Sequence, residues 1–76
     1  MKLKELKKVL TANLVHINCP ENYEIIKFER VLNKEGSRYE HFRDVNGKEL
    51  FEEYGNHEIK EIYGDISFYA VNIDLS

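Results

Sequence analysis

The sequence predicts an α+β domain: a mainly antiparallel sheet of four to five strands with two short helices on one face, in the order α-β-β-β-α-β-β. Three observations lead there. Residues 58–75 form two β-rich runs around Gly64-Asp65, a pair that tolerates the positive φ of a tight hairpin. In the second run Tyr69, Val71, Ile73 and Leu75 recur at period two, which puts them on one face of a strand. Leu3, Leu6 and Leu10 recur instead at i, i+3 and i+7, a narrow helical stripe.

The opening helix is expected over residues 2–10, where good helix formers carry lysines around the leucine stripe. No N-cap precedes it, so its first turn should fray. Leu14-Val15-His16-Ile17 reads as a short strand, and Cys19-Pro20-Glu21-Asn22 as a turn, because proline removes a donor and restricts its predecessor. Residues 23–32 form a longer strand, with Ile26, Phe28 and Leu32 on one face and Tyr23, Ile25 and Val31 on the other. Both faces are then partly covered, or a bulge intervenes. After the turn Asn33-Lys34-Glu35-Gly36, residues 37–43 return as a strand. There Tyr39 and His41 share one face, Glu40 and Phe42 share the other, and alternation names no inward side.

Residues 44–55 admit two readings. Asn46-Gly47 is a strong hairpin signal. Alternatively Asn46 caps a helix over 46–54, Glu49 completes a capping box, and Val45 staples against Leu50. Leu50, Phe51 and Tyr54 then share one stripe, and Gly55 ends the helix in the left-handed conformation. Three independent signals favour the helix. In the final hairpin the odd spacing of Ile59 and Ile62 calls for a bulge or a covered second face.

With 76 residues the chain is expected to form a single domain, 1–76. Such a chain buries only ~60% of its unfolded surface, and a homodimer would supplement that small core. Hydrophobic residues make up 42% and charged residues 33%, which excludes a disordered composition. No apolar run approaches the ~20 residues of a membrane span, and no signal-peptide core opens the chain, so a cytoplasmic location is expected. The lone Cys19 fits a reducing compartment. Net charge is −3, split between a basic residue 1–10 segment at +3 and an acidic remainder at −6.

Met1-Lys-Leu-Lys-Glu-Leu, Lys48-Glu-Leu-Phe-Glu-Glu-Tyr-Gly and Glu58-Ile-Lys-Glu-Ile-Tyr with its β-rich end resemble small acidic proteins of phages and integrative mobile elements of low-GC Gram-positive bacteria. The resemblance covers about half the chain, at its two ends. It implies a mobile-element setting, with no activity or site residues to carry over.

Little else points to chemistry. His16 and Cys19 form a His-x-x-Cys pair, but zinc needs four ligands, and His41 and His57 are isolated in sequence. Cys19 has His16 and Glu21 near it, but no helix N-terminus to activate a thiol. No phosphate-cradling glycine loop is present. We therefore expect no catalytic residues, no cofactor and no metal. Glu49, Glu52, Glu53, Glu58 and Glu61 could imitate a row of phosphates and fill the basic groove of a nuclease. The expected function is a non-catalytic protein-binding module, an inhibitor of a host defence nuclease in its concrete form, with a host protein as partner. The alternative is a nucleic-acid-binding regulator using Lys4, Lys7 and Lys8. The acidic body argues against it, and Tyr39 between Arg38 and Arg43 is a thin aromatic platform.

Overall fold

A computed structural model describes residues 1–19, 25–32, 40–65 and 70–76. Five strands form one sheet: β1 (Leu14–Asn18), β2 (Ile25–Leu32), β3 (Glu40–Arg43), β4 (Ile59–Asp65) and β5 (Ala70–Leu75). Their spatial order is β3-β2-β1-β5-β4. The β1–β2, β2–β3 and β4–β5 pairs are antiparallel, whereas β1 and β5 run parallel. The sheet is thus mixed, and the expected mainly antiparallel arrangement is interrupted at its centre. The parallel pair follows from the route of the chain. After β3 at one edge it crosses the sheet through α1 (Leu50–Tyr54) and lands at the opposite edge as β4.

Alternation sorts the strands into one apolar and one polar face. Val15 lies opposite Phe28 and beside Val71, and Ile17 lies opposite Ile26 and beside Ile73. Paired residues share a face, so these six point one way. Val15, Ile17, Phe28, Phe42, Ile73 and Leu75 are buried there. Leu3, Leu50 and Phe51 cover them, with Leu6, Leu10 and Tyr54 half-buried at the margin. Edge-to-face contacts tie α1 to the sheet: Phe42 to Phe51 at 6.1 Å and Phe28 to Tyr54 at 6.0 Å between ring centroids. Ile25, Val31 and Tyr63 lie exposed on the other face, so among the described residues no second layer covers β2. The inward face of the third strand, open from its sequence, is the Phe42 side.

Two helices of the expected size do not form. The opening segment is a 3-10 helix, Leu3–Leu6, followed by a turn, rather than a helix over 2–10. An isolated helix this short is marginal, so tertiary contacts decide its form. Here the Leu3 N–H donates to the His57 carbonyl at 3.0 Å and the Lys4 N–H to Gly55 at 2.9 Å. Ile59 in turn donates to the Met1 carbonyl at 2.8 Å. The first turn is therefore stitched to the α1–β4 connection, against the expected fraying. The leucine stripe survives the change, since Leu3 is buried and Leu6 and Leu10 pack on the core.

The second helix begins at Leu50, later than expected, and Glu49 rather than Asn46 is its N-cap. The Asn46-Gly47 pair makes a turn instead, so both readings of this stretch hold in part. Val45 does not staple to Leu50: it stands 97% exposed at the turn. Gly55 follows the helix at φ −56°, not in the left-handed region. A Cβ there would run into the Phe51 carbonyl oxygen and come within 3.3 Å of the Lys4 Cβ, so glycine permits the close approach of the two helical segments.

The final hairpin also differs in detail. Gly64 and Asp65 are not a turn; they extend β4 and pair with Val71 and Ala70. Of the two expected resolutions the bulge is the one present, between Ile59 and Glu61, and it brings Ile59 and Ile62 to the same face, opposite Leu75 and Ile73. The turns at 20–22 and 33–36, and Tyr23, Tyr39 and Tyr69, lie outside the described residues.

This packing separates two substitutions on one strand. Phe28→Ala should lower stability by about 3–5 kcal/mol, the loss of a fully buried ring. Ile25→Ala, on the uncovered face, should change it by less than ~0.5 kcal/mol. Urea denaturation followed by circular dichroism measures both.

Candidate functional site

β2 is longer than β3. The β2–β3 ladder runs from Leu32 opposite Glu40 to Glu29 opposite Arg43, and no pair follows. On its other side β2 stays paired with β1 down to Ile25 opposite Asn18. The sheet edge therefore steps inward where β3 stops, and an open groove of about 770 Å³ occupies the step. That volume lies within the roughly 300–1,000 Å³ of ligand sites.

Asp44 makes β3 stop. One of its carboxylate oxygens accepts from the N–H groups of Asn46 at 2.9 Å and Lys48 at 2.8 Å. The Gly47 N–H donates to the Asp44 carbonyl at 3.1 Å, and the Asp44 N–H to Lys48 at 3.0 Å. Aspartate favours such local turns, and Gly47 supplies the required φ of +82°. The chain is thus turned outward, away from β2, and Glu49 bridges back to Arg43.

The groove has a backbone floor and mixed walls. In an antiparallel ladder successive residues direct their N–H and C=O alternately to the two neighbours. The Arg30 N–H donates to Asn13 on the β1 side, which sends Phe28 and Ile26 the same way. The N–H and C=O of Lys27 and Ile25 consequently point into the groove. Ile26 and Tyr54 lie on the core side of this floor, Lys27 and Glu29 on the uncovered side, and Arg43, Asp44, Val45, Asn46 and Lys48 close one end. Lys27 pairs with Glu29 at 3.0 Å, both side chains more than half exposed.

The residues singled out in the sequence fall elsewhere. The five glutamates do not make one row. Glu49 is half-buried as the α1 cap, accepting from the Glu52 N–H at 2.9 Å. Glu52 and Glu53 are exposed on α1, above the core face. Glu58 accepts from the Met1 amine at 3.0 Å. Glu61 lies opposite Asp74, on the uncovered face. Lys4, Lys7 and Lys8 are exposed on the 3-10 segment and its following turn. His16 and Cys19 lie on opposite sides of the sheet: Cys19 is buried with Val15 and Ile17, whereas His16 faces away from the core, beside Asn72 and Lys27. No cluster of His, Cys, Asp or Glu that could hold a metal occurs among the described residues.

No protein-family profile, curated sequence or solved structure matches this chain significantly. No helix among the described residues is long and apolar enough to cross a membrane.

Sequence reasoning missed the groove, although the Asp44 to Gly47 turn that makes it was legible as one of two alternatives. Asp44→Ala should loosen this turn by about 1 kcal/mol. Amide hydrogen exchange should then accelerate at Asn46 and Lys48, with Phe28 unaffected.

Proposed function

We propose that this chain is a non-catalytic protein-binding module that accepts an extended segment of its partner as an added strand. One observation carries the reading: among the described residues, the edge of β2 from Ile25 to Lys27 lacks a neighbouring strand while the rest of the β2 edge has one. An unpaired edge is a template for a further strand, because backbone groups seek hydrogen bonds and the pleat positions alternate side chains.

The rim adds apolar contact. Ile25 is 70% and Val45 97% exposed, one at each end of the groove. Neither is held there by core packing, and both would lose solvent contact beneath a docked strand. The resemblance to phage and mobile-element proteins suggests a host protein as the partner. Inhibition of a nuclease through an acidic row draws no support from the dispersed glutamates.

Lys27→Pro tests the reading. It removes an N–H that faces the groove and leaves the β1–β2 bonds of Ile26 and Phe28 intact. Against a displayed library of random linear heptapeptides, the native chain should enrich binders that the folded variant does not retain. No enrichment, or equal retention by the folded variant, overturns strand addition.

A further inference from the structure

Resting on that reading, we infer that the groove selects an acidic segment, lying antiparallel to β2 with an acidic side chain opposite Lys27 and an apolar one opposite Ile26.

The register fixes these positions. β3 pairs with β2 so that Glu29 meets Arg43 and Val31 meets His41. A guest strand continuing the line of β3 would next meet Phe28, Lys27, Ile26 and Ile25 in turn. Its residue opposite Lys27 bonds to the Lys27 N–H and C=O, because those groups face the groove. That residue points to the uncovered side, since paired residues share a face. There it has Lys27 across from it and Arg43 in line with it, on the same side of the sheet. The residue opposite Ile26 points to the other side, where the half-buried Ile26 and Tyr54 supply apolar surface.

Charge selects the acid. Lys27, Arg43 and Lys48 line the groove against Glu29 and Asp44. Asp44 is already engaged by the two N–H groups of its own turn. Glu29 competes for Lys27, but that ion pair is exposed, and exposed pairs contribute only ~0–1 kcal/mol. Neither Arg43 nor Lys48 forms an ion pair among the described residues. A guest carboxylate therefore meets uncommitted cations, whereas a guest lysine would add like charge.

The probe is an acetylated Ser-Val-Glu-Val-Thr-Ser amide, titrated into the labelled full chain and followed by amide chemical shifts. Shifts should concentrate at Ile25 to Phe28 and at Val45 to Lys48. Replacing the peptide's Glu with Gln should weaken binding about 3–10-fold, and with Lys by more. N-methylation at that Glu should abolish binding, because it removes the donor to the Lys27 carbonyl. On the protein, Arg43→Gln should weaken binding about 3–10-fold, and Glu29→Gln should strengthen it about 2–5-fold by releasing Lys27. If Lys-bearing and Glu-bearing peptides bind the groove equally, the acidic preference is wrong and strand addition stands. If no library peptide and no probe shifts the groove residues, or if N-methylation has no effect, strand addition itself is wrong.

Discussion

The parallel pairing of β1 with β5 is the constraint on which the rest depends. β1, β2 and β3 form one antiparallel unit, and β4 with β5 forms another. Neither alone closes a core of this size, because a hairpin or a three-stranded ribbon leaves its apolar face open. The Val15–Val71 and Ile17–Ile73 rungs join them, although more than fifty positions separate the partners. Such contacts are entropically expensive to form and are repaid by burial. Here the burial is complete for Val15, Ile17 and Ile73, and α1 and the 3-10 segment then cover the joined surface.

The turn at Asp44 serves two ends with one set of bonds. By directing the chain off the sheet it delivers Leu50 and Phe51 over the core, where Phe51 meets Phe42 edge-to-face. The same redirection denies β2 the last rungs of its ladder. The groove is thus a geometric consequence of how the crossover starts. Its shape is tied to core packing through Tyr54, which contacts Phe28 on one side and borders the groove on the other. A ligand at Ile26 would therefore touch the same side chain that helps seat α1.

What was legible in the sequence was local. Period two in Val71, Ile73 and Leu75 named the inward face of β5, and the bulge near Lys60 followed from the mismatch of Ile59 and Ile62. The leucine stripe was legible as a face but not as a helix type. Backbone carbonyls of Gly55 and His57, remote in sequence, took the first N–H groups of the opening segment and shaped it. In the 44–55 stretch the turn signal was met at Gly47, whereas the cap expected at Asn46 was not: the turn used up that residue, and Glu49 caps a shorter helix instead. Strand order was not legible, because no local signal records which edge a returning hairpin joins. The candidate site was hidden for a related reason. It is made by the difference in length between two paired strands, and the chemistry of its residues is ordinary. The glutamates do not form one row because proximity in sequence across a helix, a connection and a bulged strand does not make a common face.

The other edges show why this step stands apart. Folded sheets guard their edges against unwanted pairing with bulges, charges or covering chain. β3 is met near its end by its own returning chain, through the Arg43–Glu49 bridge. β4 is met at its start by the Lys2–Glu58 bridge and by the Ile59 bond to Met1, and is bulged immediately after. At the Ile25–Lys27 edge none of these devices occurs among the described residues, and charges stand on the walls instead. Wall charges do not prevent a strand from pairing; they discriminate among strands by the side chains those strands carry. Under the proposed strand addition, an edge guarded in that way would admit a chosen partner while rejecting indiscriminate self-association.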